Sequence, residues 1–186
     1  MFSRDADCPL GCHLLLSWSG ALAAMFGVAV LALGTALIAQ FGFGFAPCVL
    51  CLWQRIPYVL VLVVAGAGFA PGLRRWRGAL LLGCGLLLLI ECGIAMFHVG
   101  VEQHWWLGTS GCSLQATATP AQDTKSLREM LLATPVAQCD RISWTFLGLS
   151  MATWNVAFAL VMGLYALYVV FMGRADGTAT QTQTEK

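Results

Sequence analysis

Charge is what this sequence has least of: only 10% of its 186 residues are Asp, Glu, Lys or Arg, and the net charge is +1. Such a chain has no basic patch with which to hold a nucleic-acid backbone, and that class of function is set aside. A cleaved leader is not expected either. Leu10-Gly11-Cys12 resembles a lipoprotein cleavage site, but no apolar segment precedes it, and Asp5 and Asp7 beside Arg4 spoil the basic head of a cleaved signal peptide. The first hydrophobic run is therefore expected to be retained. Apolar residues are abundant at 59%, and the mean hydropathy is +0.77. A soluble domain of this length cannot hide so much apolar surface, so a membrane protein is expected. At about 20 residues per span, four spans and their loops use up the chain as a single domain.

Spans are expected at about 18–40, 47–70, 78–99 and 145–171. The second is the most informative. Ile56 to Ala70 covers only ~22 Å as helix, too little to cross alone, so it must recruit Pro47-Cys-Val-Leu-Cys-Leu-Trp-Gln-Arg55. Cys48, Cys51 and Arg55 then lie at or just below one membrane surface. The third span is interrupted by Glu91. Loops are expected at 41–47 and 100–144 on one side, with 1–17, 71–77 and 172–186 on the other; the Thr- and Gln-rich tail from Gly173 reads as disordered.

Arg4, Arg74, Arg75, Arg77, Arg174 and Lys186 all fall on the same side of this arrangement. The long loop balances Lys125, Arg128 and Arg141 with Glu102, Asp123, Glu129 and Asp140. The positive-inside rule then places both termini in the cytoplasm and 41–47 and 100–144 outside. Trp53, Trp105, Trp106 and Trp144 would line the outer interface, and Trp18 and Trp76 the inner one.

The eight cysteines sort by side. Cys8 and Cys12 would be cytoplasmic and reduced, and Cys84 and Cys92 would pack inside the third span as small hydrophobes. Cys48, Cys51, Cys112 and Cys139 face the oxidising side. Cys48-Val-Leu-Cys51 is a C-x-x-C pair at a helix N-terminus, where one sulfur can attack a disulfide and the other resolve it. Arg55, four residues past Cys51, shares its helical face and would stabilise a thiolate there or a reduced, anionic quinone. A structural disulfide beside a snorkelling arginine, or a zinc site completed by Cys112 and Cys139, is the alternative. Cys112 and Cys139 enclose 26 residues. Gln122 to Ala133 among them reads as a short amphipathic helix lying on the outer leaflet. This pair alone would be an ordinary loop staple; beside an outer C-x-x-C, exchange between two pairs accounts for it better.

Pro47-Cys-Val-Leu-Cys-x-x-x-Arg55, then Cys112, then Cys139-Asp-Arg-Ile-Ser-Trp-Thr-Phe-Leu-Gly-Leu-Ser-Met151 resembles the disulfide bond formation protein B family over all four spans and the long loop. That resemblance implies an all-α membrane protein, a four-transmembrane-helix bundle of the bacterial inner membrane. It also implies a periplasmic thioredoxin-like thiol oxidase as electron donor and ubiquinone or menaquinone as acceptor. By position, Cys112 matches the cysteine that joins the partner in a mixed disulfide, with Cys139 its mate. Cys48 and Cys51 match the quinone-proximal pair, Cys51 contacting quinone with Arg55 beside it. Better-known members carry a carboxylate just before this arginine; here it is Gln54. His98 falls near a quinone-side histidine of some members.

Glu91 would cost about 2.5–3.5 kcal/mol to insert at the membrane centre, and intramembrane carboxylates default to function. His98 is seven residues on and nearly on the same face, so a Glu91–His98 proton path to reduced quinone is one reading. A solvated, interfacial His98 is the reading preferred. Three other proteins would fit parts of the pattern: a vitamin K epoxide reductase-like quinone reductase, whose loop pair precedes its C-x-x-C; a reductant-exporting transmembrane thiol carrier, which needs cysteines working on the cytoplasmic side, where only Cys8 and Cys12 are expected; and a non-enzymatic scaffold with stapled loops.

Overall fold

The computed structural model describes residues 16–109, 139–140 and 144–184, with side chains to Met172. Four helices in it are long and apolar enough to cross a membrane. The first, α1, is Trp18–Leu37, capped by the Ser17 hydroxyl accepting from the Gly20 N–H at 3.1 Å. It runs on into a π-helical turn, Ile38–Gly42. Helix α2 is Val49–Ala67. A 3₁₀ turn, Pro71–Trp76, leads into α3, Arg77–Glu102, and α4 is Met151–Thr184.

All four helices contribute to one core: Leu22 and Met25 from α1, Tyr58 and Val61 from α2, Leu81 and Leu88 from α3, Val169 and Val170 from α4. Outside it, Leu31, Val63, Ile90 and Val161 are exposed. In water that surface would be a liability; among lipid tails it is the ordinary outer face of a spanning helix. Helices α3 and α4 meet through small residues. A Cβ on Gly85 would stand 3.1 Å from the Ala166 Cβ and 3.4 Å from the Gly163 carbonyl oxygen, the close backbone approach that membrane helices use in place of a hydrophobic driving force.

Three boundaries differ from those read off the sequence. The residues from Thr145 do not open the last span. Thr145–Phe146 (β1) and Leu149–Ser150 (β2) form an antiparallel hairpin pair instead. Leu147 and Gly148 hold φ of 52° and 79°, the two positive values of the tight turn that matches strand twist, which no helix accommodates. Helix α4 also continues to Thr184, through the tail expected to be disordered. Extending an already nucleated helix costs little per residue even where composition is polar. Helix α3 ends at Glu102, a turn beyond Val99. The amphipathic segment 122–133, Cys8, Cys12 and Cys112 lie outside the described residues.

Candidate redox site at one end of the bundle

Pro47 cannot continue a helix backward, and Cys48 takes up extended backbone (φ −77°, ψ 169°) as the N-cap of α2. Its sulfur accepts the Cys51 N–H at 3.2 Å. One helical turn then brings the Cys51 Sγ to 2.7 Å from the Cys48 Sγ. The C-x-x-C spacing and the cap together aim both sulfurs at one point. Cys48 is buried and Cys51 half-buried. The hydrogen bond with Cys51, reinforced by burial, pushes the Cys48 thiol well above its ordinary range.

Cys139 is 1% exposed and packs in the same small buried cluster as Cys48, Leu50 and Val101, with Cys51 against it. Sequence separation between the C-x-x-C pair and Cys139 is thus closed by the fold, whereas its expected mate Cys112 is among the residues not described.

From α3, His98 reaches the pair. Its Nε2 lies 3.6 Å from the Cys48 Sγ and 3.8 Å from Glu102 Oε1, and its Nδ1 lies 3.4 Å from Gln54 Oε1. The preferred sequence reading of His98 as solvated is corrected: it is 4% exposed. It is buried because α3 packs on α2 and turns residue 98 toward Cys48 and Gln54. Gln54 and Glu102 are each 8% exposed. Ser150, at the end of the hairpin, donates its hydroxyl to Glu102 Oε2 and accepts the Thr153 N–H at 3.2 Å. Glu102, Ser150 and the contact made by Gln54 were missed in the sequence. Glu102 is four residues past His98 and so on its face, but a helix ended at Val99 hides that relation.

Cys48, Cys51 and His98 offer donor atoms within 4.8 Å of one another. With Zn–S near 2.3 Å, two sulfurs on one tetrahedral ion would stand about 3.8 Å apart. The sulfurs, at 2.7 Å, stand closer together than two ligands of one zinc ion would.

Arg55 turns toward α1, its Nη1 donating to Gln40 Oε1 at 2.7 Å from the π-helical turn. On the α3 side of the same end, Val49, Leu50, Trp53, Ile90, Gly93, Ile94, Phe97 and Thr109 line a cavity of about 640 Å³.

Glu91 is elsewhere. It is fully buried, accepting the Asn155 Nδ2 at 2.7 Å, while the Tyr58 hydroxyl donates to Asn155 Oδ1 at 2.5 Å. Its hydrogen bonds tie α3 to α4 and, through Tyr58, to α2. His98 has its own, separate set of partners, so the described contacts give the Glu91–His98 path no connection.

Similarity to known proteins follows this geometry. The family described as "Disulfide bond formation protein DsbB" matches residues 19–169. A disulfide bond formation protein B of a Polaromonas species is 33% identical over 154 residues, 81% of this chain and 88% of the relative. The protein of that name from Xanthomonas axonopodis pv. citri is 30% identical, covering 76% of this chain and 84% of the relative. An uncharacterised Rickettsia prowazekii protein is 23% identical over 80% of this chain and 86% of its own length. With four membrane-length helices and a paired C-x-x-C capping one of them, the chain belongs to the disulfide bond formation protein DsbB family, membrane oxidoreductases that generate disulfides.

Proposed function

We propose that the chain is a thiol oxidase of the bacterial inner membrane that reoxidises a periplasmic thioredoxin-like disulfide carrier and passes the electrons to a quinone. Both termini are cytoplasmic in this reading, and the cysteine end of the bundle faces the periplasm, as the arginine distribution favours. The observation that carries the reading is the burial of Cys139 in one cluster with Cys48 and Cys51. A staple needs no third cysteine there, whereas exchange between two pairs does.

The chain's own residues would work as follows. The partner's thiolate attacks the Cys112–Cys139 disulfide and forms a mixed disulfide at Cys112, which the partner's second thiol resolves. The loop pair, now reduced, attacks the Cys48–Cys51 disulfide, with the thiolate of Cys51 as leaving group. Arg55 and Cys51 fit a quinone. A guanidinium with donors to spare stands one helical turn from a half-buried sulfur, anchored by Gln40 among lipid-facing apolar side chains. The quinone, ubiquinone or menaquinone, supplies a two-electron acceptor. Arg55 would hold its oxygen, His98 contacts Cys48 and Gln54, and the apolar surroundings would exclude water.

The test is purification in detergent, extraction of bound quinone, and assay of a soluble quinone analogue with reduced partner as donor. Co-purified quinone and partner-dependent reduction are expected. A protein that carries no quinone and leaves its disulfides unchanged beside a reduced partner would be the scaffold instead.

A further inference from the structure

The C-x-x-C pair has a proton problem. Two thiols give up two protons on becoming a disulfide, and Cys48 is the harder one to ionise, being buried and bonded to its neighbour. Outside the pair, the His98 Nε2 lies 3.6 Å from its sulfur. Gln54 presents a carbonyl oxygen to Nδ1 at 3.4 Å. With the Gln54 amide oxygen turned to the ring as placed, that oxygen accepts from Nδ1–H, and in this tautomer Nε2 presents its lone pair to Cys48. In that tautomer the ring is a base aimed at the thiol. Glu102 Oε1 stands 3.8 Å from the same Nε2. A carboxylate facing a lone pair is an unfavourable neighbour; facing an N–H⁺ it is a favourable one. Both contacts are therefore satisfied only after Nε2 has taken a proton.

We propose that Glu102, held by Ser150, is a positioning residue that enables His98 to take the proton of Cys48. The Cys48 S–H bond breaks, an N–H bond forms at His98 Nε2, and the sulfur keeps the electron pair. Glu102 holds the positive charge the ring acquires, in a site too dry for water to do so. Ser150 donates to the far oxygen, Oε2, and leaves Oε1 for the ring. Cys51 on α2 also stands beside His98, and Cys139 packs in the adjoining buried cluster with Cys48. The hairpin places only the Ser150 hydroxyl here, and α2 contributes Gln54 as a neutral amide. Glu102 is thus the one carboxylate among the described contacts of this ring.

The inference rests on the proposed thiol-oxidase function but can be tested without quinone. In the full-length protein bearing Cys51→Ser, reduced and stripped of quinone, the rate at which Cys48 reacts with methyl methanethiosulfonate reports its thiolate directly. Glu102→Gln keeps the size and the acceptor for Ser150 but removes the charge, and should slow that reaction about 10-fold. Adding Gln54→Glu, which returns a carboxylate at the other ring nitrogen, should bring the rate back to within about 3-fold of the parent. In the protein with both cysteines, Glu102→Gln should lower kcat and leave KM for a quinone analogue unchanged. If the glutamine variant does not fold, His98→Gln removes the base itself and should show the same loss. An unchanged Cys48 rate in Glu102→Gln or in His98→Gln overturns the inference, as does a loss that Gln54→Glu fails to restore. Absent quinone reduction by the unsubstituted protein would instead count against the thiol-oxidase reading, and would leave the labelling rates standing.

Discussion

Arg55 holds a position that a single substitution can interrogate. Its guanidinium is tied to Gln40 across the gap between α1 and α2, and Cys51 sits one turn before it. Arg55→Met keeps the stem and removes the charge and the donors. Both disulfides should form, and one stoichiometric turn of partner oxidation should survive. The KM for a soluble quinone analogue should rise at least ~10-fold, equivalent to about 1.4 kcal/mol. Steady-state assays decide it; unchanged kcat and KM would reduce the arginine to a snorkelling anchor. Its relation to the cysteines was legible in the sequence, because residues 48, 51 and 55 are spaced at one helical turn each. The relation of His98 to Cys48 was not, since 50 positions separate them and only the packing of α3 on α2 brings them together. Glu102 was hidden for another reason. A carboxylate just past the last apolar residue looks like the start of a polar loop, and nothing local announces that the helix carries it inward.

At the scale of elements, uncharged runs long enough to cross a bilayer made the four helices readable in advance. The hairpin before α4 was unreadable by the same criterion, since Phe146, Leu147 and Leu149 are as apolar as the span they precede and only the paired positive φ of Leu147 and Gly148 turns the chain. What aligns the helices is narrower than hydropathy. Gly85 of α3 and Gly163 of α4 lie back to back, each with the other's carbonyl oxygen 3.4 Å from where its Cβ would be. Gly85→Val should destabilise the bundle by about 1–3 kcal/mol through overpacking. Gly27→Ala, with nothing within 4 Å of its Cβ, should be neutral or gain up to about 1 kcal/mol. Unfolding in mixed detergent measures both. Equal effects at the two positions would show that the glycine contact does not set the α3–α4 distance. Gly100 makes the same point near the site: a Cβ there would fall 2.0 Å from the Trp106 ring, which stacks on Phe97 and donates its Nε1 hydrogen to the Phe97 carbonyl at 3.0 Å.

For the whole molecule, polar chemistry is gathered at one end of an otherwise apolar bundle, with Glu91, Asn155 and Tyr58 as a separate buried knot. In the proposed relay a loop carries electrons from a partner in water to the pair capped into α2, and Cys139 of that loop packs beside the pair. Cys112→Ser and Cys139→Ser should each abolish oxidation of a periplasmic thioredoxin-like partner. With a partner whose second cysteine is also replaced by serine, Cys139→Ser should accumulate a Cys112-linked mixed disulfide, resolvable on non-reducing gels. Partner oxidation at the normal rate in both variants would mean that the relay does not run through the loop.

The oxygen of Ser150 serves two masters. It starts the last helix by accepting the Thr153 N–H, and it steadies Glu102. Threonine alone among the other side chains offers a hydroxyl of the same reach. Aspartate would cap as well but set a second negative group against Glu102, and alanine would forfeit both contacts, the cap alone being worth about 1 kcal/mol. Serine and threonine are thus the two residue types that keep both contacts. If Glu102 acts as proposed, an effort to stabilise the protein by improving helix starts has to pass this one by, because a gain in folding there would be taken from turnover.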